Sequence, residues 1–499
     1  MLPRPRADLV PNTVAYETTP LVKTTGFREY DARWQLGSEL NYLGLEALGL
    51  GLGAYFQERG EKRVVVGHDF RSYSVNVKQA LCLGLVASGC EVLDIGLALS
   101  PMAYFAQFDL QAKCVAMVTA SHNENGWTGV KMGAQPPLTF GPDEIGRLKE
   151  LVLGGLAKPA GGGTLTHVEG VMERYIADAS SRCQLKRKLR VVCACGNGTA
   201  GAFAPEALRQ MGAEVIEMDC DLDWTFPKYN PNPEDTEMLH AMAKVVRETG
   251  ADLSLGFDGD GDRCGVVDDT GEEIFADKIG LMLARDLAPL HPGATFVVDV
   301  KSTGLYATDE VLNANGCTTV YWKTGHSYIK RKTAELGALA GFEKSGHFFF
   351  AGDLGRGYDC GLTAAAAILA MMDRNPGKKL SELRQALPIA YTSLTMSPHC
   401  ADETKYGVVE EVVAEYQGIA DRGETIAGRK IKEVITVNGV RLALEDGSWL
   451  LVRASSNKPE LVVVVESMRS ADDMRALFHG EVKPRLAKWK SVGNYNQEI

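Results

Sequence analysis

The chain has 499 residues, of which 45% are hydrophobic and 23% charged, the make-up of an ordinary globular protein of about three or four domains. A formal net charge of −11 argues against nucleic acid or an anionic membrane as the main partner. No apolar run approaches the roughly 20 residues that cross a bilayer, and the N-terminus MLPRPRADLVPNTVAYETTP lacks a signal-peptide core, so a cytoplasmic protein is expected, with residues 1–23 as a loose arm. The eleven cysteines form no paired C-x-x-C pattern. Cys193 and Cys195, two apart in an apolar strand, lack zinc-finger spacing and read as buried reduced thiols.

The first long element is a helical pattern from Leu36 to Glu58, weakened locally by its glycines. Strands follow at Arg63–Asp69 (with Arg71 just beyond), Glu91–Leu97 and Cys114–Val118, with helices over Val75–Ser88 and Met102–Phe108 between them. The order repeats with strands at 189–195, 214–218 and 252–257 and helices at 203–211 and 235–249. It repeats again with strands at 295–300, 318–323 and 338–342 and helices at 305–314 and 328–336. Parallel strands need crossover helices, so three successive βαβ-type α/β modules are expected. From about Leu387 the pattern changes to strands in hairpin succession, at 430–437, 439–444, 448–453 and 461–467, with helices at 407–417 and 471–478. That predicts a C-terminal α+β domain with a mostly antiparallel sheet. The expected boundaries are 24–168, 169–270, 271–386 and 387–499.

Each module ends a strand in a polar loop, and ligands of open α/β sheets sit at the carboxyl ends of strands. The first such loop is Thr119–Gly133, TASHNENGWTGVKMG, which presents the Ser121 hydroxyl. The second is Asp258-Gly-Asp-Gly-Asp-Arg263. Its alternate carboxylates, separated by glycines, suit one hard divalent cation with room left for a phosphate oxygen, which favours Mg²⁺. It is not an EF-hand, because Arg263 and Asp269 stand where that loop needs glycine and glutamate. The third, GFEKSGH, places Glu343 and Ser345 two apart, able to hold neighbouring hydroxyls, with His347 able to move protons near neutral pH. In the tail, Arg453-Ala-Ser-Ser-Asn-Lys makes a phosphate cradle without the glycines of a P-loop. These four loops would need to meet in one central cleft.

Together they resemble the loops of the α-D-phosphohexomutase family, over nearly the whole chain after Thr24. TASHNENGWTGVKMG is similar to the family's phosphoserine loop, DGDGDR to its metal loop, GFEKSGH to its sugar loop and RASSNKPE to its phosphate loop. WKTGHSYIK resembles the mannose/glucose branch rather than the glucosamine branch, and DVKST, with Lys301, matches as well. Departures are Glu124 in place of the usual proline, Ser456-Asn457 in place of the usual Asn-Thr or Gly-Thr, and Trp34 in place of glycine near Tyr30 and Arg33.

The resemblance implies an intramolecular phosphotransferase of the isomerase class. It would interconvert hexose 1- and 6-phosphates through phosphorylated Ser121 and a hexose 1,6-bisphosphate. Ser121, Asp258, Asp260 and Asp262 would bind Mg²⁺. His122, Lys131 and Arg263 would offset the negative charge. Proton transfer would fall to Lys131, His347 or His326. Tyr30, Lys301, Glu343, Ser345, Arg453, Ser455, Ser456 and Asn457 would contact the substrate. The tail is expected to act as a mobile lid, and the protein to be a monomer or weak homodimer whose partners are sugar phosphates. A glucosamine-phosphate mutase, a metal-dependent sugar phosphatase and a non-catalytic sensor are the competing readings.

Overall fold

Three apolar runs make the parallel centre of the first sheet in the computed structural model, which describes residues 3–455 and 458–499. Its strands are β1 (Ala32–Gln35), β2 (Arg63–His68), β3 (Glu91–Leu97), β4 (Cys114–Val118), β5 (Trp127–Gly133) and β6 (Thr164–His167), in the order β1-β5-β4-β2-β3-β6. Val64, Val65, Val66 and Val115 are all buried, as β-branched residues should be in strands covered on both faces. β5 runs antiparallel to β1 and β4, so the sheet is mixed. The second half of the serine loop is therefore a strand, a feature hidden in the sequence by its glycines. At Gly129 a Cβ would lie 2.3 Å from the Ala32 carbonyl oxygen, so only glycine lets β1 lie beside it.

The glycine-rich helix spans Tyr42–Glu58, capped by Asn41, whose side chain accepts from the Gly44 amide at 2.8 Å. Its glycines serve packing. A Cβ on Gly49 would lie 2.1 Å from the Leu81 carbonyl oxygen, and one on Gly84 would lie 2.0 Å from that of Glu46. The helix Ser74–Ala87 thus rests backbone to backbone on its neighbour.

The second sheet comprises β7 (Arg190–Ala194), β8 (Glu214–Met218), β9 (Leu253–Phe257), β10 (Cys264–Asp268) and β11 (Glu273–Ile274), in the order β11-β10-β9-β7-β8. β7, β8 and β9 are parallel, and β10 and β11 are antiparallel additions. In the third module β12 (Thr295–Asp299) lies between β13 (Thr318–Trp322) and β14 (Ala340–Phe342), all parallel.

The chain divides into two compact units, Met1–Ala276 with Ser345–Ser381, and Asp277–Lys344 with Glu382–Ile499. The segment 345–381, third-module by chain order, belongs to the first unit. It carries β15 (Phe348–Phe350) and the helix Gly361–Arg374. Tyr175 Oη lies 3.2 Å from Cys360 Sγ, and Asp373 accepts from the Lys186 and Arg187 amides at 2.9 and 3.2 Å.

The tail sheet contains β16 (Tyr391–Thr392), β17 (Thr425–Ile426), β18 (Arg429–Ile435), β19 (Val440–Leu444), β20 (Trp449–Ala454) and β21 (Leu461–Ser467). It is antiparallel throughout, in the order β16-β21-β20-β19-β18-β17. Within the second unit the buried Arg441 guanidinium lies between the rings of Tyr321 and Trp449, 4.1 and 3.8 Å from their centroids. It donates to the Val300 and Ser302 carbonyls at 2.6 and 2.7 Å. Glu466 accepts from the Gly304 amide at 2.7 Å, Trp449 Nε1 at 2.8 Å and Thr303 Oγ1 at 3.0 Å. No described helix is long and apolar enough to cross a membrane.

Burial works against the Glu466 charge, but Lys278 and the hydrogen bonds from Thr392, the Gly304 amide and Trp449 hold its pKa down at about 2, from an ordinary 4.5. The folded state binds the proton less readily than the unfolded chain, so this contribution is present above pH 4.5 and is lost as pH falls through about 2. Glu466→Gln is expected to destabilise the second unit by about 3 kcal/mol at neutral pH. Thermal midpoints across an acid pH series should show the gap to wild type narrowing below pH 4.5.

Candidate active site

Ser121 follows β4 with a left-handed backbone, φ 51°, and a nearly fully buried side chain. Its conformation is imposed from beneath. Asp69, just past β2, accepts from Thr119 Oγ1 at 2.9 Å and the Ala120 amide at 3.2 Å, and it pairs with Arg71. Arg71 in turn donates to the carbonyls of Ser121 and Asn123, both at 2.8 Å. The Ser121 amide donates to Thr119 Oγ1 at 2.8 Å. A buried ion pair thus holds the turn from both ends.

The acidic loop comes against this turn. Ser121 Oγ lies 3.2 Å from Asp258 Oδ2 and 3.3 Å from His122 Nδ1. A Cβ on Gly259 would lie 2.5 Å from the Ser121 carbonyl oxygen, so the approach requires glycine there. Asp258, Asp260 and Asp262 are all fully buried, and one oxygen of each lies within 4.8 Å of the others. Asp260 Oδ1 and Asp262 Oδ1 accept no hydrogen bond from any described residue. Buried, mutually repelling oxygens with unfilled lone pairs fit a hard divalent cation. These residues are the candidate metal ligands, with Ser121 Oγ beside them.

Lys131, on β5, reaches across to this loop. Its Nζ lies 2.6 Å from Asp260 Oδ2 and contacts Asp262 Oδ2. Ser100 Oγ donates to Asp260 Oδ2 at 2.6 Å. Burial opposes the Lys131 charge, but Asp260 and Asp262 overcome it and hold its pKa well above the lysine value. Burial likewise opposes the Asp260 charge, and Lys131 overcomes it, leaving Asp260 below the usual carboxylate range. Asp258 goes the other way: burial, with Asp262 and Asp260 nearby, raises it well above that range. His122 departs from expectation. Burial, with Arg263 and Arg33 close by, keeps it well below the ordinary histidine value, so it is neutral and offers no positive charge to the site.

Arg263 connects the acidic loop to the returning segment. Its amide donates to Asp258 Oδ1 at 3.2 Å, its Nη1 lies 2.9 Å from Glu234 Oε2, and its Nε donates to His347 Nε2 at 3.1 Å. A histidine nitrogen that accepts from a guanidinium carries no proton, so the His347 proton sits on Nδ1. Nδ1 faces Asp359 Oδ2 at 3.1 Å and Asp262 Oδ1 at 3.7 Å. Arg33, near the half-buried Tyr30, donates to Asp31 at 2.8 Å and to Asn123 at 2.9 Å. Trp34 fills the space over Gly26 and donates through Nε1 to the Lys23 carbonyl at 2.7 Å. Ser345, buried, opens the returning segment of this unit.

The other expected site residues lie in the second unit. Glu343 Oε1 accepts from the Gly325 amide at 3.1 Å, next to buried His326, which opens the helix His326–Leu336. Asp299, at the end of β12, accepts from Ser302 Oγ at 2.6 Å, Thr324 Oγ1 at 2.9 Å and the Lys344 amide at 3.2 Å. One carboxylate therefore gathers the loops that carry Lys301, His326 and Glu343. Arg453 donates to the Ala454 carbonyl at 2.9 Å. Buried Lys405 donates to the carbonyls of Ser455 and Lys458 at 2.6 and 3.0 Å. Ser456 and Asn457 lie outside the described residues.

Four models of phosphoglucomutase/phosphomannomutase domains match in sequence: α/β/α domain I over residues 24–155, domain II over 169–271, domain III over 275–391 and the C-terminal domain over 400–483. The chain is 34% identical to a phosphomannomutase/phosphoglucomutase of Pseudomonas syringae pv. tomato, over 93% of this chain and 96% of that protein. The chain belongs to the phosphoglucomutase/phosphomannomutase family. A relative of the same name from Pseudomonas aeruginosa is 32% identical over 93% of this chain and 96% of its own. A crystal structure of a phosphoglucomutase/phosphomannomutase family protein from Burkholderia thailandensis covers 96% of this chain and all of its own at a TM-score of 0.86 and 28% identity.

For this family member, sequence reasoning missed the supports: Asp69 with Arg71, Ser100, Glu234, Asp359 and Lys405. Asp69 and Arg71 were visible at a strand end, the signal that singled out Ser121. The others make their contacts across long stretches of chain and leave no local pattern. Asp69→Asn is expected to cost about 3 kcal/mol by leaving Arg71 buried without its carboxylate. Limited proteolysis of the variant should show faster cleavage within 119–125 than in wild type.

Proposed function

We propose that the protein interconverts hexose 1-phosphates and hexose 6-phosphates, of mannose, glucose or both, by phosphoryl transfer to and from Ser121. The observation that carries this reading is the 3.2 Å approach of the buried Ser121 hydroxyl to Asp258 of a three-carboxylate loop. A sugar-phosphate sensor has no need of a nucleophile beside such a loop. Phosphoryl transfer is chiefly positioning and charge stabilisation.

In this mechanism phosphorylated Ser121 faces the free hydroxyl of a hexose monophosphate. The Oγ–P bond breaks as the sugar O–P bond forms, giving the 1,6-bisphosphate. The sugar hydroxyl gives up its proton, and Ser121 Oγ is left to be protonated. The bisphosphate then reorients and returns its other phosphoryl group to Ser121. Asp258, Asp260 and Asp262 would hold Mg²⁺, which when bound supplies a positive charge beside the transferring phosphoryl oxygens. Lys131 and Arg263 supply the fixed positive charge of the chain itself. Lys131 is held protonated, so it stabilises charge rather than accepting a proton. Proton transfer in this reading falls to His326 or His347, and His347 can accept only through Nε2, which Arg263 occupies here. Glu343 and Ser345 would hold sugar hydroxyls, and Arg453 with Ser455 the phosphate that is not reacting. The Arg441 and Glu466 contacts would make residues 277–344 and the tail behave as one body.

Incubation of the purified protein with Mg²⁺, glucose 1-phosphate and a trace of glucose 1,6-bisphosphate is expected to yield glucose 6-phosphate, followed by phosphorus NMR. Release of inorganic phosphate without the 6-phosphate would identify a phosphatase instead. Intact-mass measurement should find one phosphoryl adduct on wild type and none on Ser121→Ala, whose turnover should fall at least about a thousandfold.

A further inference from the structure

Cys193, Cys195 and Cys220 meet in the second module at the carboxyl end of its parallel strands. Residues two apart in a strand point to the same face, so Cys193 on β7 and Cys195 just past it lie side by side. β8 pairs in parallel with β7, Ala194 opposite Met218, and Cys220 follows two residues later. The Cys195 amide donates to the Met218 carbonyl at 3.1 Å, which keeps Cys220 level with Cys195. Sγ of Cys195 lies 3.8 Å from that of Cys193 and 3.6 Å from that of Cys220, and all three sulfurs lie within 4.8 Å of one another. All three residues are buried, and none forms a disulfide.

We propose that these three cysteines form a binding site for a thiophilic d¹⁰ cation of the Zn²⁺ class, separate from the acidic loop. Zinc–thiolate bonds of about 2.3 Å at the tetrahedral angle put neighbouring sulfurs about 3.8 Å apart. The two separations from Cys195 match that edge, and the third sulfur pair lies within 4.8 Å. The chemistry divides the two sites cleanly. Three sulfurs select soft, thiophilic ions, and the three carboxylates of the acidic loop select hard ones. On binding, each thiol that becomes a ligand exchanges its S–H bond for an S–metal bond and releases its proton to solvent.

Two features favour a built site over thiols that merely fill space. The turn Thr199–Ala202 closes over Cys220 through Gly201, where a Cβ would lie 2.0 Å from the Cys220 carbonyl oxygen, so this contact requires glycine. Exposed Asp221 follows Cys220 in the chain and puts a carboxylate at the approach, while Asp219 on the other side is committed to Lys228 and Tyr229.

The test uses the full, reduced, metal-free chain in excess Mg²⁺, titrated with Cd²⁺. A thiolate-to-cadmium absorption band should rise linearly and stop at one equivalent, with protons released in step. Cys220→Ser and Cys195→Ser should each lose the stoichiometric break, and Cys317→Ser, a thiol of the third module, should keep it. Cadmium NMR of the wild-type complex reads the ligand set without any variant and should give a sulfur-rich shift. Absence of the band, a break that survives Cys220→Ser, or an oxygen-type shift would each overturn the proposal.

Discussion

Lys131 sits with its ammonium enclosed between Asp260 and Asp262, and most of the first unit's chemistry follows from that placement. Three carboxylates in one buried loop repel one another and would otherwise neutralise by taking up protons. A permanent cation from the neighbouring sheet removes that outcome for Asp260 and fixes the loop at a set distance from the serine turn. The lysine comes from β5, the antiparallel strand inserted between β1 and β4. The insertion that makes the first sheet mixed is therefore also what brings the counter-charge to the acidic loop.

Much of the architecture was legible because the periodicities are clean. Valine-rich runs alternating with helical stretches gave three α/β modules, and hairpin succession gave the antiparallel tail. The four loops were legible because each carries an unusual grouping of polar residues directly after an apolar strand. Other features were hidden by the residues that make them possible. Glycines at 129 and 133 disguised β5, and those at 44, 49, 51 and 53 made a tightly packed helix look weak. The propensity cost of glycine is real, but two helix backbones in contact regain it through burial that no larger residue would permit.

The site's supports were less legible than its reacting groups, for a related reason. Asp69, Asp299 and Glu466 each gather several loop donors on one buried carboxylate, and an isolated aspartate or glutamate gives no sign in sequence of how many donors it will meet. The neutrality of His122 is of the same kind. Adjacency in sequence placed it near the serine correctly, but its charge state depends on burial and on two arginines that only the folded chain brings close. The cysteine pair shows the same limit from the other side. Spacing alone made it look inert, and the partner that changes its meaning comes from the next strand.

The left-handed backbone of Ser121 bears on how the molecule tolerates change. A side chain at that torsion carries about 1 kcal/mol of strain that glycine would avoid. Alanine there keeps the strain and discards the hydroxyl, whereas glycine discards both. In a selection for heat resistance that ignored turnover, glycine at 121 would outlast alanine. The nucleophile therefore occupies a position where durability and chemistry compete for the same residue.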